Sequence, residues 1–399
     1  MTGRRPVIAT MDTDILRRVR VLDFTTTIAG PHCARMLADL GADVIKIEGP
    51  DGDLLRNRPP LRNGVSSYFG QLNAGKRSVV LDLKQPAAVE IVKRLVAGAD
   101  LVVENYRPGV MKRLGLDYES LATIRPDLVY CAMSGYGQTG PSSGLPAYAP
   151  VIHAASGYDL AHLSYQDGRT RPDNNGVFIA DVVTGTYAFG AIMAALYDRQ
   201  VTGRGHMVDV SMLESMLTMT LAEMQRAQFA LAPPGRPMFG PLETKDGYLM
   251  LAVASERTFR DLGHAAGRPD WVDDPRFAAY ADRRRNWHLF MEELEQWSRR
   301  LTTDECQAAL DRCAVPCSRY RTVEEAMADP QLAHRQAFAE VSDAGGVFRA
   351  LNPPFRFSAA SAVARPFVAA LGEHGDEVLA EAGYWPDEID AFRKAGVLG

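Results

Sequence analysis

One carboxylate, Asp181, stands in apolar surroundings where a charge is unusual. The segment GVFIADVVTGTYAFGAIMAALYDR, residues 176–199, places it between a short apolar run and a helix rich in small residues. An Asp at a helix start is most often an N-cap, and the spacing predicts that role here. A helix N-terminus also stabilises an anion, so the same Asp is a candidate nucleophile in a dry pocket.

Basic residues collect near the ends of probable strands in the first half of the chain. In an α/β sheet, ligands bind beyond the carboxyl ends of the strands, and Arg or Lys there suits phosphate groups. Each of these residues alone is typical of a solvated loop, but together they favour a phosphorylated ligand. The set comprises Lys76, Arg77, Arg107, Lys112 and Arg113.

Other catalytic patterns are missing from the sequence. Its eight histidines form no HxH or HExxH pair, so no metal site is expected. His206 lies in a turn and is more typical of a solvated residue than of a base. The serines form no GxSxG elbow, and neither GxGxxG nor a Walker A loop is present.

The elements that must position these residues alternate between strand and helix. VLDF, DVIKIE, RSVVLDL, DLVVENY and DLVYCAMS are typical of strands, and helical periodicity separates several of them. Such βαβ units imply a parallel sheet. We therefore predict an α/β fold whose large domain is Rossmann-like, with an open parallel sheet.

A change in amino-acid composition near residue 225 indicates a second domain. A Pro/Gly-rich connection leads there into a hairpin-like segment and then into charge-rich helices. We predict a large domain at 1–225, a smaller α+β domain at 226–325, and a segment at 326–399 that returns to the large domain.

Composition limits the partners and the compartment. The formal net charge of −5 and the pI near 6.0 give no basic field, so nucleic acid is not expected. The sequence indicates no signal peptide and no apolar stretch of about 18 residues, which predicts a cytoplasmic protein without a membrane partner. The five cysteines lack a CxxC pair and are expected to be reduced thiols.

Several segments together resemble the family III CoA-transferases of the CaiB/BaiF type. This group contains formyl-CoA:oxalate and carnitine CoA-transferases and the related α-methylacyl-CoA racemases. The similar segments run in family order from about residue 20 to 380, a series far more specific than any one of its pieces. They are VLDFTTTIAGPHCARMLADLGADVIKIE, LNAGKRSVVLDLK, VVENYRPGVMKRLGLDYESL, SGYGQTGP, ADVVTGTYAFGAIMAALYDRQVTGRGHMVDVSMLES, VPCSRYRTVEEAMADPQL and GEHGDEVL.

The resemblance implies an interlocked homodimer with CoA on the large domain. Asp181 matches the family nucleophile, which carries CoA as an aspartyl-CoA thioester from an acyl-CoA donor to a small carboxylic acid. By matching position the CoA site is lined by Arg56, Lys76, Asn105, Tyr106 and Arg113. The resemblance implies CoA and acyl-CoA as substrates, with no tightly bound cofactor.

Two alternatives stay open, an α-methylacyl-CoA racemase and a non-catalytic CoA-binding protein. Racemisation needs a second base, but the GHDxNY segment of racemases is missing, with Tyr148 near the expected position and His153 about five residues later. The evidence therefore favours a transferase.

Departures from the family pattern bear on the substrate. Ile28 stands where formate/oxalate-type members have Gln, which argues against those acids. The flexible run of glycines is missing, and the matching segment offers Gly240 for a lid. Dicarboxylates are plausible acceptors, with Arg171 or Arg236 as partners for the distal carboxylate.

Overall fold

The computed structural model describes residues 14–166, 168–229 and 238–399. The chain divides into two compact units, residues 1–225 together with 331–399, and residues 226–330. The small domain predicted from the sequence ends at residue 325, whereas the second unit ends at residue 330.

The strands of the described residues are short. They are β1 (Arg20–Asp23), β2 (Asp43–Glu48), β3 (Leu61–Arg62), β4 (Val65–Ser66), β5 (Arg77–Val80), β6 (Leu101–Glu104), β7 (Val129–Ser134), β8 (His206–Ser211), β9 (Phe239–Glu243), β10 (Tyr248–Ala252), β11 (Cys317–Arg319), β12 (Phe338–Asp343) and β13 (Gly346–Leu351).

Ten helices of the described residues precede β9. In chain order they are α1 (Ala29–Asp39), α2 (Ser67–Asn73), α3 (Pro86–Val96), α4 (Val110–Leu114), α5 (Tyr118–Ala122), α6 (Ala149–Ala155), α7 (Tyr158–Leu163), α8 (Ile179–Thr202), α9 (Met212–Leu217) and α10 (Leu221–Ala227). Several of them connect the strands of the main sheet, and the last, α10, runs across the boundary between the two units.

Further helices follow in the second unit and in the carboxyl-terminal segment. They are α11 (Glu256–Ala265), α12 (Tyr280–Arg285), α13 (Trp287–Ser298), α14 (Thr303–Arg312), α15 (Val323–Met327), α16 (Pro330–His334), α17 (Gly375–Glu381) and α18 (Pro386–Lys394). Single 3-10 turns lie at Leu54–Asn57 and Pro269–Val272.

The main sheet of the first unit is six-stranded, and every neighbouring pair in it is parallel. Its spatial order is β5-β2-β1-β6-β7-β8. Counted along the sheet's own strands, this order is 3-2-1-4-5-6, the doubly wound order of Rossmann folds. The predicted α/β class and parallel sheet are confirmed.

Two apolar layers cover the two faces of this sheet. One contains Ile91 and Val92 of α3 with Met111 of α4, and the other contains Leu37 of α1 with Ile192 of α8. The crossover after β1 therefore lies on one face and the crossover after β6 on the other. Because β1 and β6 are neighbours whose crossovers lie on opposite faces, their carboxyl ends form the topological switch point, where such folds bind ligands.

Helix α8 forms much of one layer. Its buried residues recur at helical spacing and include Thr184, Ala188, Ile192 and Arg199. Contrary to the sequence prediction, α8 is long and apolar enough to cross a membrane, with a mean hydropathy of 1.5 in its best window. The buried helix of a globular core meets the same criterion, and α8 packs on α1, β7 and β8.

The second unit has its own apolar core beside an antiparallel sheet of order β11-β10-β9. Phe290 lies at the centre of this core, and its ring contacts Trp271 and Phe277 edge-on at centroid distances of 4.9 and 5.4 Å. The unit therefore has the α+β composition expected from its sequence.

Candidate active site

Asp181 is the third residue of α8, one position after Ala180 and three after the N-cap residue Phe178. The prediction that Asp181 is itself the N-cap is wrong. Its carboxylate instead lies near the backbone N–H of Ala29, the first residue of α1, which stabilises the ionised form. The nucleophile candidate is thus held by a neighbouring helix N-terminus as well as by its own.

Burial changes the acidity of this carboxyl. It raises the pKa of Asp181 to about 6, and the Ala29 N–H acts in the opposite direction by stabilising the anion. Near neutral pH the group is mostly ionised yet poorly hydrated. A carboxylate of this kind is more basic than a solvated one and therefore more nucleophilic.

Tyr68 of α2 lies near the same carboxylate. Burial and the negative charge of Asp181 together raise the pKa of the Tyr68 phenol. Tyr68 also packs, with Ile28, beside the apolar cluster of Leu55, Phe69 and Leu72. The surroundings of Asp181 therefore include an aromatic side chain that packs on an apolar cluster and carries a hydroxyl.

The loop between β1 and α1 is held tightly. Thr27 has a φ of 65° in the left-handed region, which is unusual for a β-branched residue. The side-chain amide of Asn105 accepts from the N–H of Thr26 at 2.9 Å and donates to its carbonyl at 2.8 Å. Asp53 accepts from the Thr27 N–H at 3.4 Å. These contacts fix the loop that presents Ala29 to Asp181.

A buried ion pair lies beneath that loop. The Lys76 ammonium is 2% exposed and donates to the Asp23 carboxylate at 2.9 Å, to the Pro31 carbonyl at 3.1 Å and to the Asn73 amide oxygen at 2.9 Å. Burial lowers the pKa of Lys76 to about 8, and Asp23 acts in the opposite direction. All three donors of Lys76 are directed at protein atoms, and none is left to meet a phosphate.

Arg56 is also bound to a protein carboxylate. Its guanidinium makes two hydrogen bonds with Glu48, at 2.8 and 2.6 Å, and lies 4.0 Å from the centre of the Phe69 ring. Arg56 also lines a cavity of about 480 Å³ together with Asp343 and Glu373. The Arg56 guanidinium therefore faces acidic partners in this structure.

The remaining residues predicted for CoA follow β6. Asn105 makes the two hydrogen bonds with Thr26 described above. Tyr106 is partly buried, and its backbone N–H donates to the Glu104 carboxylate at 2.8 Å. Arg113 lies exposed on α4. Arg107, Lys112 and Arg113 are exposed, and in the described part of the chain no ion pair engages them.

The structure thus brings Asp181, Ala29 and Tyr68 together and joins Asn105 to the same loop. Tyr68 and Ala29 were missed from the sequence. Nothing in the motif SSYFGQLNAGKRS marks Tyr68 as different from its apolar neighbours, and the contribution of Ala29 is a backbone N–H that any residue except proline carries.

Other titratable groups near the sheet are not placed to act as free bases. His206 pairs with Asp198 at 2.7 Å near the carboxyl end of α8. Burial, with a contribution from Asp209, raises the pKa of Glu104 to about 8. Within the described ranges, no group of three His, Cys, Asp or Glu residues is arranged to hold a metal.

The family model described as CoA-transferase family III matches residues 16–375. A Rossmann-type sheet with one half-buried carboxylate at a helix start is consistent with that match. The chain belongs to CoA-transferase family III. The resemblance stated from the sequence is confirmed, and so is CoA transfer as the enzyme class.

Curated relatives cover nearly the whole chain. The chain is 34% identical to a succinate–glutarate CoA-transferase of Agrobacterium fabrum over 92% of this chain and 95% of the relative. It is 31% identical to the succinyl-CoA:glutarate CoA-transferase of Homo sapiens over 96% and 90% of the two chains. A succinyl-CoA–D-citramalate CoA-transferase of Chloroflexus aurantiacus is 32% identical over 95% and 97%.

Solved structures support the fold. A CaiB/BaiF family protein from Brucella suis, 32% identical, superimposes with a TM-score of 0.80 over 92% of this chain and 99% of that chain. A protein from Mycobacterium tuberculosis, 29% identical, gives a TM-score of 0.81 over 91% and 98%.

Proposed function

We propose that this CoA-transferase moves CoA from an acyl-CoA donor to a carboxylic acid through a covalent aspartyl-CoA intermediate on Asp181. The observation that carries the proposal is the Asp181 carboxylate itself. It is half-buried at the start of α8, lies near the Ala29 N–H and has a raised pKa.

The proposed first half-reaction is the one that the family resemblance implies, with Asp181 as the nucleophile. A carboxylate oxygen of Asp181 attacks the thioester carbonyl carbon, and the C–S bond breaks to leave a mixed anhydride and CoA thiolate. The thiolate then attacks the Asp181 carbonyl carbon, and the anhydride C–O bond breaks to release the donor acid as its carboxylate. The product is the aspartyl-CoA thioester.

The second half-reaction reverses these steps with the acceptor. Its carboxylate attacks the aspartyl thioester, CoA thiolate leaves, and the thiolate then attacks the acceptor's carbonyl carbon and restores Asp181. Each tetrahedral centre carries a negative oxygen. The backbone N–H of Ala29, already directed at the Asp181 carboxylate, is placed to donate to that oxygen when the centre forms on Asp181.

For CoA we propose a site beyond the carboxyl ends of β1 and β6, with contacts from Asn105, Tyr106 and Arg113 and with Arg56 and Lys76 shaping the site rather than contacting CoA. The exposed cations Arg107, Lys112 and Arg113 support this placement because CoA carries phosphates. Since Lys76 and Arg56 are engaged by carboxylates, we assign their main effect to the shape of the loop and of the 3-10 turn at Leu54–Asn57.

For the acids we propose small dicarboxylates. Three relatives are named for succinate or succinyl-CoA together with glutarate or D-citramalate. Arg171 is exposed and available for a distal carboxylate, whereas Arg236 and the start of the proposed lid lie outside the described residues. Gly240 itself lies in β9. Turnover of succinyl-CoA and acetyl-CoA against a panel of mono- and dicarboxylic acids tests the assignment.

We also propose that the chain forms a homodimer, interlocked as the family resemblance implies. Large apolar side chains lie on the outer side of α8, where Tyr197 is 74% exposed and Val201 is 69% exposed. Burying such side chains against a second subunit is favourable by about 25 cal/mol per Å² of apolar area. The cytoplasmic location stays a prediction from the sequence.

The covalent step is tested by intact-mass analysis after incubation with succinyl-CoA and quenching in acid. We expect an adduct of CoA on the wild-type chain and none on Asp181→Ala. Asp376→Ala is the matched control, because Asp376 lies in the first turn of α17 and pairs with Arg393 on the surface. Adduct retained by Asp181→Ala would sink the assignment of the nucleophile.

A second measurement separates transfer from racemisation. Incubation of a 2-methylacyl-CoA in deuterated solvent leaves the α-hydrogen in place if the chain is a transferase. Exchange of that hydrogen without transfer would assign the chain to the racemases, and CoA binding with neither reaction would assign a binding role.

A further inference from the structure

The helix that carries Asp181 begins without a capping side chain of its own. Its N-cap residue is Phe178, which has no side-chain acceptor. The backbone N–H groups of the first residues of a helix lack intrahelical partners. An acceptor on the N-cap side chain commonly binds the N–H of the second or third helical residue. The second residue of α8 is Ala180, which is fully buried and out of reach of solvent.

A histidine from another helix supplies the missing acceptor. The N–H of Ala180 donates to Nε2 of His153, on α6, at 3.1 Å. His153 lies 27 residues earlier in the chain and is 1% exposed. The imidazole thus caps α8 from a distance, a role that neither its sequence position nor its neighbours indicate.

The hydrogen bond sets the form of the imidazole. Because Nε2 accepts, the ring is neutral and its proton is on Nδ1. Among the described residues Nδ1 finds no hydrogen-bond partner. Burial lowers the pKa of His153, against a smaller opposing effect of Asp159, which keeps the acceptor form at neutral pH.

This cap lies next to the reacting carboxylate. Asp181 follows Ala180 directly, so the backbone orientation of the first turn of α8 sets the direction of the Asp181 side chain. The same turn must keep that carboxylate on the Ala29 N–H. Loss of the His153 contact leaves a buried N–H without an acceptor, which is unfavourable and promotes fraying of this turn.

We propose that His153 is a positioning residue that caps α8 and thereby aims Asp181 at the thioester, an inference that rests on the proposed function of Asp181. His153 is buried and its Nε2 is occupied, so it does not serve as the second base of a racemase. The histidine that follows the racemase position by about five residues has a structural role instead.

Two substitutions separate capping from packing. His153→Gln keeps an acceptor oxygen at similar reach, and His153→Leu keeps the bulk of the side chain without an acceptor. We expect His153→Leu to slow formation of the CoA adduct at least tenfold in single-turnover experiments, with the Kd for CoA unchanged within twofold. His153→Gln is expected to stay within about threefold of wild type.

Hydrogen exchange gives a readout that does not depend on catalysis. In His153→Leu the amides of the first turn of α8 should exchange at least tenfold faster than in wild type, and in His153→Gln they should remain protected. If His153→Leu does not fold, His153→Gln still decides the question. A His153→Gln variant with fast exchange and slow adduct formation overturns the proposal.

Failure of this inference is distinct from failure of the proposed function. If Asp181→Ala retains the CoA adduct, the nucleophile assignment falls whatever His153 does. If Asp181→Ala loses the adduct while His153→Leu forms it at the wild-type rate with protected amides, only the positioning role of His153 is refuted.

Discussion

At the scale of single residues, the environment decides what each charged group can do. Asp181 and Lys76 were both predicted to act in the site. Asp181 is half-buried and contacts one backbone N–H, so its carboxylate remains free to react. Lys76 is fully buried, and its three donors bind Asp23, Pro31 and Asn73. Asp181 is therefore suited to chemistry, and Lys76 is suited to holding the loop after β1.

The raised pKa of Asp181 predicts a pH dependence. Only the ionised carboxylate attacks, and burial places the pKa at about 6. The rate of CoA adduct formation should therefore rise about tenfold between pH 5 and pH 7 and level off above pH 7. Tyr68, the other titratable group shown beside Asp181, stays protonated in this range because its own pKa is raised.

The measurement is a single-turnover rate at several pH values, with the fold of the enzyme checked by circular dichroism at each. An adduct rate that is constant between pH 5 and pH 7 would contradict the assignment of this pKa to the nucleophile. So would a midpoint near pH 4, the value of a solvated aspartate.

At the scale of elements, the close approach of α1 and α8 builds the site. Gly185 lies one turn after Asp181, and a Cβ on it would collide with the carbonyl oxygen of Ala29. The N–H of the same α1 residue lies near the Asp181 carboxylate. The sequence did not show what the small residues of α8 pack against. The structure shows that Gly185 is needed because the start of α8 contacts the start of α1 at this position.

Substitution of Gly185 by alanine should damage both stability and rate. The added Cβ forces α1 and α8 apart, and overpacking of this kind costs about 1–3 kcal/mol. It also moves the Ala29 N–H away from the Asp181 carboxylate, so adduct formation should slow about tenfold or more. Urea unfolding and the single-turnover rate check the two effects.

Gly98→Ala is the matched control for that substitution. Gly98 lies on an exposed turn, and a Cβ there meets no atom closer than 3.7 Å. We expect its stability and rate to match wild type within error. Equal behaviour of the two variants would show that the α1–α8 approach is not required.

At the scale of the whole molecule, the first unit is a doubly wound sheet with its topological switch point between β1 and β6. The loop after β1 carries Ala29, and the loop after β6 carries Asn105, whose amide joins the two loops through Thr26. The carboxylate on α8 is added from the crossover between β7 and β8. With Tyr68 of α2, four separate stretches of chain thus meet at one site.

The proposed dimer makes a prediction about mass in solution. Light scattering coupled to gel filtration should give twice the chain mass of 43.7 kDa. Tyr197→Glu places a charge on the exposed apolar side of α8, and we expect it to lower the yield of assembled dimer, because interlocked subunits must associate while the chains fold. Val323→Glu, an exposed position in the second unit, should leave the dimer intact. A wild-type monomer would refute the proposal.

The sequence by itself determined the α/β class, the parallel sheet and the family, and it selected Asp181 as the candidate nucleophile. These depend on hydrophobic periodicity and on motifs that are local in the chain. Tertiary structure alone decided that Asp181 is not an N-cap, that His153 caps its helix, that Ala29 and Tyr68 lie beside it, and that Lys76 is buried. Each of those depends on contacts between residues far apart in sequence, where packing and desolvation set the partners and the pKa.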